Sequence, residues 1–319
     1  MSDRRQFLTT TIGTLILTIG LCLGYEALAR SRNYPPHVSE NLHLWRHWYQ
    51  KSLHPNSVAF VGDSRAHTAY DLATARQLLP NRIPCMLAKD SSDPFVVLER
   101  LAEDSRFGGI AIVQIAMDRI DPPNRLPLRN FVAEMERNFT PADYANDVMR
   151  AALQDRFAML NPNCAPIPYA KAAISMRSLP PWDGQFRGYF SREIEVRLPE
   201  EIAQRQLAEF RTRVYAQPDP KGIEDWTQRI QAWIQQIEGR GGSVAVVFHP
   251  CDSSADQVYP RDQFWDKFAD HLGVPSFHYT DDPRTAGMTT VDGLHIASDD
   301  RQLLTRAMLE SLRKQGLKL

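Results

Sequence analysis

Cysteine is scarce: four in 319 residues, too few to staple a chain of this length into a disulfide framework. Cys22 lies in an apolar stretch, leaving Cys85, Cys164 and Cys251; a single Cys164–Cys251 bridge and buried thiols both fit that count. No CxxC pair and no His/Cys cluster stands at zinc-ligand spacing, so the sequence implies no metal and no cofactor. Neither GxGxxG nor GxxxxGK followed by Ser or Thr occurs, which removes the common dinucleotide and phosphate loops. An excess of one charge is also missing. Lysine and arginine total 37 against 38 acidic residues with no long basic run, so nucleic acid is not an expected partner and bulk charge does not select the substrate.

What the sequence does contain begins with an N-terminal apolar run. Phe7–Gly24 carries no charge over 18 residues, just enough to cross a hydrocarbon core. Ala27-Leu28-Ala29 offers a small-x-small cleavage site, so a secretory signal competes with a retained anchor; the run exceeds the usual signal length, which favours the anchor. Both readings export the remainder, giving a membrane-anchored domain on the periplasmic or extracellular side, or a secreted one after cleavage. Residues 1–30 are therefore expected to form the anchor, 31–54 a linker with a helix over Leu42–Ser52, and 55–319 a single globular domain.

Five short apolar runs read as strands: Ser57–Gly62, Ile83–Ala88, Gly109–Ile115, Ser243–His249 and Val274–His278. The third and fourth are almost continuously apolar, as strands covered on both faces are. Helical patterns at Phe95–Glu103, Ile223–Ile237 and Gln302–Leu312 alternate with them, which predicts an α/β fold with a mostly parallel sheet. The stretch from about 121 to about 241 is too long for a simple crossover and is expected to be a helical insertion.

In an open parallel sheet, ligands gather beyond the carboxyl ends of the strands. Gly62-Asp63-Ser64-Arg65 follows the first run, and Asp292-Gly293-Leu294-His295 precedes the last helix. A serine hydroxyl needs a base to take its proton, and an imidazole base needs a carboxylate to hold its tautomer. Ser64, His295 and Asp292 supply those three roles. Each alone has an ordinary structural use as a cap, turn or surface residue. Asp63, Arg65 and His249 lie near the same edge as candidate substrate contacts, and His67 shares that region. Trp265 reads as helix packing.

These two motifs resemble the first and last motifs of the SGNH/GDSL hydrolase superfamily: Gly62-Asp63-Ser64 after the first strand and Asp292-Gly293-Leu294-His295 before the final helix. The resemblance spans about Ser57 to Leu312 with the insertion uncovered. It implies a three-layer α/β/α, flavodoxin-like domain, with Ser64 as nucleophile, His295 as general base and Asp292 as its orienting partner. It also implies an oxyanion hole from the Ser64 and Ser91 backbone N–H groups, Ser91 standing where the family has glycine. The family's Gly-x-Asn-Asp motif is missing after the third run, which reads Gln114-Ile115-Ala116-Met117-Asp118-Arg119. The chain looks most similar to membrane-anchored members that acylate or deacylate cell-surface polysaccharide. The implied partners are an acylated glycan or acyl donor, the membrane and envelope polysaccharide machinery. A noncatalytic envelope scaffold or glycan-binding module is the alternative. An α/β-hydrolase fits less well, because its acid and histidine come from different strand ends.

Overall fold

A computed structural model describes residues 2–90, 93–116, 126–137, 139–164, 186–212 and 220–319. Helix α1 (Ser2–Ser31) contains the apolar run, and its stretch Arg4–Ser31 is long and apolar enough to cross a membrane. Helix α2 (Leu42–Ser52) starts where the Asn41 side chain accepts from the Leu44 N–H at 2.8 Å. Its Leu44, Trp45, Trp48 and Tyr49 recur on one face and are buried in the main core. Residues 31–54, expected as a linker, thus include a helix built into the domain.

The sheet consists of β1 (Ser57–Val61), β2 (Ile83–Met86), β3 (Ile110–Gln114), β6 (Ser243–Phe248) and β7 (Ser276–His278), in the order β2-β1-β3-β6-β7 with every pairing parallel. That is the 2-1-3-4-5 order of flavodoxin-like doubly wound sheets. All five predicted strand runs carry a strand. Every residue of β1 and β3 is buried, as expected for strands with helices on both sides.

Two helix groups cover the sheet. Short helices α3 (Ser64–Ala69) and α4 (Leu72–Leu78) pack with the last helix, α12 (Arg301–Lys314). Helix α5 (Pro94–Glu103), capped by Asp93 with Pro94 in its first turn, packs with α9 (Pro220–Glu238). Helix α9 in turn meets α11 (Trp265–Leu272). The remaining pieces between β3 and β6 are α6 (Leu126–Arg137), α7 (Pro141–Gln154), strands β4 (Phe186–Gly188) and β5 (Ile194–Val196), and α8 (Glu200–Thr212). Helix α10 (Ser253–Val258) follows β6.

Two differences from the sequence reading concern the insertion. Its last helix, α9, buries Ile230, Ile234 and Ile237 against the core and is the crossover that a parallel β3–β6 pair requires. The segment also holds an antiparallel hairpin, β4–β5, and so is not wholly helical. No disulfide joins the four cysteines, so the Cys164–Cys251 bridge is not formed. Cys164 is buried beside Ala29, Tyr34 and Ala158.

Candidate active site

Ser64 sits at the turn from β1 into α3. The Asp63 side chain accepts from the Arg65 N–H at 2.8 Å and opens the helix. Glycine at position 62 is dictated by close approach: a Cβ there would lie 2.3 Å from the Ala66 Cβ and 2.9 Å from Gln114 Oε1. Gln114, buried at the end of β3, receives the Asp63 N–H at 3.3 Å and donates to the Ile115 carbonyl at 2.9 Å. The turn is thereby tied to the neighbouring strand.

Asp292–His295 is a second tight turn. Asp292 Oδ1 accepts the backbone N–H groups of Leu294 and His295 at 3.0 and 2.8 Å, while Val291 donates to the His295 carbonyl at 2.7 Å. Gly293 adopts φ +93°, and a Cβ on it would come within 2.5 Å of the Phe210 ring. Phe210 belongs to α8, so a helix of the insertion roofs this turn. Arg211, the next residue, pairs with Asp252 at 2.8 Å beyond the end of β6.

The two turns bring Ser64, His295 and Asp292 together in one chain of contacts. His295 Nε2 lies 2.9 Å from Ser64 Oγ, and His295 Nδ1 lies 2.7 Å from Asp292 Oδ2. Burial pushes the Asp292 carboxyl up, but the hydrogen bond and charge of His295 with the two backbone N–H groups outweigh it, holding it below the usual carboxylate range. An ionised Asp292 fixes the proton on Nδ1 and leaves Nε2 facing the hydroxyl.

A second imidazole stands one turn along α3. His67 is 1% exposed, and its Nδ1 contacts Asp90 Oδ1 at 2.9 Å in the loop after β2. Burial acts to raise Asp90, yet the His67 hydrogen bond and the charges of His67, Lys89 and His295 bring it below its ordinary value. Ser91, expected as an oxyanion donor, lies outside the described residues, as do Met117, Asp118 and Arg119.

Asp63, Arg65 and His249 were candidates for substrate contact, and the structure turns them inward. They are 4%, 8% and 3% exposed. Asp63 caps α3, and His249 Nε2 meets the Tyr70 hydroxyl at 2.9 Å. Burial first, and then the Arg65 charge, push His249 down to about 3, so it is a neutral core imidazole. Trp265 packs in the core against Phe248, as its place in a helix suggested.

Sequence reasoning missed Arg192. It occupies the β4–β5 turn at φ +69°, an unusual backbone for a residue with a side chain, and its side chain is fully buried. The guanidinium donates to the Met86 carbonyl, to the Ala88 carbonyl at 2.9 Å, and to Glu40 at 2.8 Å. It thus pins the chain leaving β2, two residues before Asp90, to the segment ahead of α2. A fork of donors suits such a multiple contact. No glycine or turn motif marks the position; the only signal is a charged residue in a short β-prone run.

No family model and no curated protein matches the chain. Among solved structures it is similar to TesA, with 11% identity over 81% of this chain and 98% of that chain and a TM-score of 0.34.

Proposed function

We propose that this chain is a serine-dependent acyl-ester hydrolase or O-acyltransferase of the SGNH type, working through an acyl-Ser64 intermediate. The observation that carries the reading is the continuous Ser64–His295–Asp292 array at 2.9 and 2.7 Å. Ser64 Oγ attacks the ester carbonyl while His295 Nε2 takes its proton. The backbone N–H of Ser64 donates to the oxyanion, and Ser91 is its proposed companion. Collapse of the tetrahedral species expels the alcohol, which leaves with the proton held on Nε2. In the second half, an acceptor hydroxyl gives its proton to His295 and attacks the acyl carbon. Ser64 Oγ leaves and recovers the proton. Water as acceptor makes the protein an esterase; a sugar hydroxyl makes it a transferase.

The substrate we propose is an acyl ester of a cell-envelope or exported glycan. Helix α1 is taken as a retained membrane span, with the α/β domain on the periplasmic or extracellular side. Full-length protein in detergent, offered p-nitrophenyl acetate, tests the chemistry: wild type turns over, and Ser64→Ala falls on the order of 1000-fold or more. Equal rates for the two proteins would leave the noncatalytic scaffold as the reading.

A further inference from the structure

The geometry points to a second membrane contact: the turn after α7 and the exposed apolar stripe leading into it are seated in the bilayer leaflet on the domain's side. This inference rests on the reading of α1 as a membrane span. It concerns the surface of the folded domain, on which that reading is silent.

The observation is the depth at which the domain grips α1. Met159 and Leu160 line a groove with Gly20, Leu21, Tyr25 and Leu28. Gly20 is four residues inside the uncharged run that ends at Gly24, which places this contact about 6 Å within the apolar segment at 1.5 Å per residue. A helix that spans the bilayer with this run in its hydrocarbon carries Met159 and Leu160 down to the boundary between acyl chains and headgroups.

The grip is also specific. Glu26 accepts the Ala158 N–H at 3.1 Å and the Met159 N–H at 2.8 Å, Arg30 reaches the Arg156 carbonyl at 3.4 Å, and Tyr25 donates to the Cys164 carbonyl. Ala29 is fully buried in this joint. Cleavage after Ala29 would strip Tyr25, Glu26 and Ala29 from it.

Apolar side chains remain uncovered beside this joint. Phe157 is 40% exposed, Leu153 40% and Met149 60%. They stand four residues apart, so they run as one stripe along α7 and off its end. Arg150 and Arg156 flank the stripe, and both are exposed. Asp143, Asp147 and Asp155 offset these arginines, with Asp147 3.6 Å from Arg150, so it is the uncovered apolar stripe and not its charge that points to lipid. Continuity with the spanning helix selects the occupant, because Phe157 adjoins the very residue, Ala158, that α1 holds.

The test uses full-length protein in vesicles of phosphatidylcholine and phosphatidylglycerol, with a thiol-reactive fluorophore at one site and nitroxide-labelled lipids as depth quenchers. In a Cys251→Ser background the buried Cys85 and Cys164 stay unlabelled, and Cys22 reports on the span itself. In a Cys22→Ser, Cys251→Ser background, Leu153→Cys and Phe157→Cys report on the stripe, and Gln302→Cys on a solvent-exposed part of α12. All replaced positions are exposed or partly so, so the fold is retained.

Headgroup-level nitroxide is expected to quench labels at 153 and 157 about twofold and leave 302 unchanged, with mid-chain nitroxide quenching Cys22. Quenching at Cys22 without quenching at 153 and 157 overturns the proposal and leaves the spanning helix standing. Absence of quenching at Cys22 overturns both. Label shielding at 153 and 157 that depends on protein concentration and not on nitroxide assigns the stripe to a second copy of the chain and also overturns the proposal.

Discussion

The two turns that meet at the candidate site are held by different parts of the molecule. Gly62–Ser64 is braced from within: Gln114 of the adjacent strand receives the Asp63 N–H, and Ala66 lies too close to position 62 for any side chain there. Asp292–His295 is braced by its own backbone hydrogen bonds and roofed by Phe210 of the insertion. Ser64, the proposed nucleophile, is therefore set by the core, and His295, the proposed base, by its own turn under an appended helix. Perturbing the two turns separately tests that division.

The largest effect is expected within the array itself. Asp292→Asn keeps the shape of the turn but upsets the imidazole tautomer, and His295→Ala removes the base; each is expected to lower acyl transfer on the order of 10,000-fold in steady-state assays. Arg192→Met comes next. It leaves Glu40 and the carbonyls of Met86 and Ala88 without their buried donor. A loss of about 3 kcal/mol in urea unfolding is expected. Arg192→Lys restores only part, because a single ammonium cannot reproduce the fork.

The glycines give the sharpest contrast between the turns. Gly62→Ala meets the core and is expected to cost about 1–3 kcal/mol by overpacking, with acyl transfer lost as α3 shifts. Gly293→Ala meets the Phe210 ring and carries the strain of a positive φ, about 1–2 kcal/mol. Adding Phe210→Ala to Gly293→Ala relieves the clash and is expected to recover part of the activity. If the double variant is no better than the single one, the roof does not position the base.

The last effect concerns pH and is expected in stability and not in the positioning of either turn. His249 is pushed down to about 3 and His278 to about 4 from an ordinary value of 6.5, in both cases chiefly by burial. Below pH 6.5 the unfolded chain binds protons that the native chain refuses. Stability is therefore full above that value and is lost as pH falls from 6.5 toward 3–4, by up to about 1.4 kcal/mol per pH unit for each histidine. Urea unfolding between pH 7 and 5 is expected to show this slope, and His249→Gln to remove one histidine's share.

Much of this arrangement was legible in the chain. Short apolar runs bounded by turn-formers located all five sheet strands, and the two most continuous of them, β3 and β6, are central strands covered on both faces. Ser64, Asp292 and His295 were legible as a candidate set because one short motif follows the first strand and the other precedes the last helix, and the structure brings the three within hydrogen-bonding distance. Leu42–Ser52 was bounded correctly, and the structure adds the Asn41 cap at its start, but its burial in the core was not apparent from its histidines and charges. The β4–β5 hairpin escaped because its strands are three residues long and its turn places Arg192 in a backbone region associated with glycine. The Arg192 contacts join residues more than 100 positions apart, which no local pattern encodes. His249 was misjudged because the end of a strand does not reveal whether a side chain faces solvent or the Tyr70 ring behind it.

The most direct test of the central claim is covalent labelling of the full-length protein with a fluorophosphonate, followed by peptide mass spectrometry. One adduct is expected, on Ser64, strongly reduced in His295→Ala. An unlabelled Ser64 in the folded wild-type protein, or equal labelling with and without His295, would contradict it.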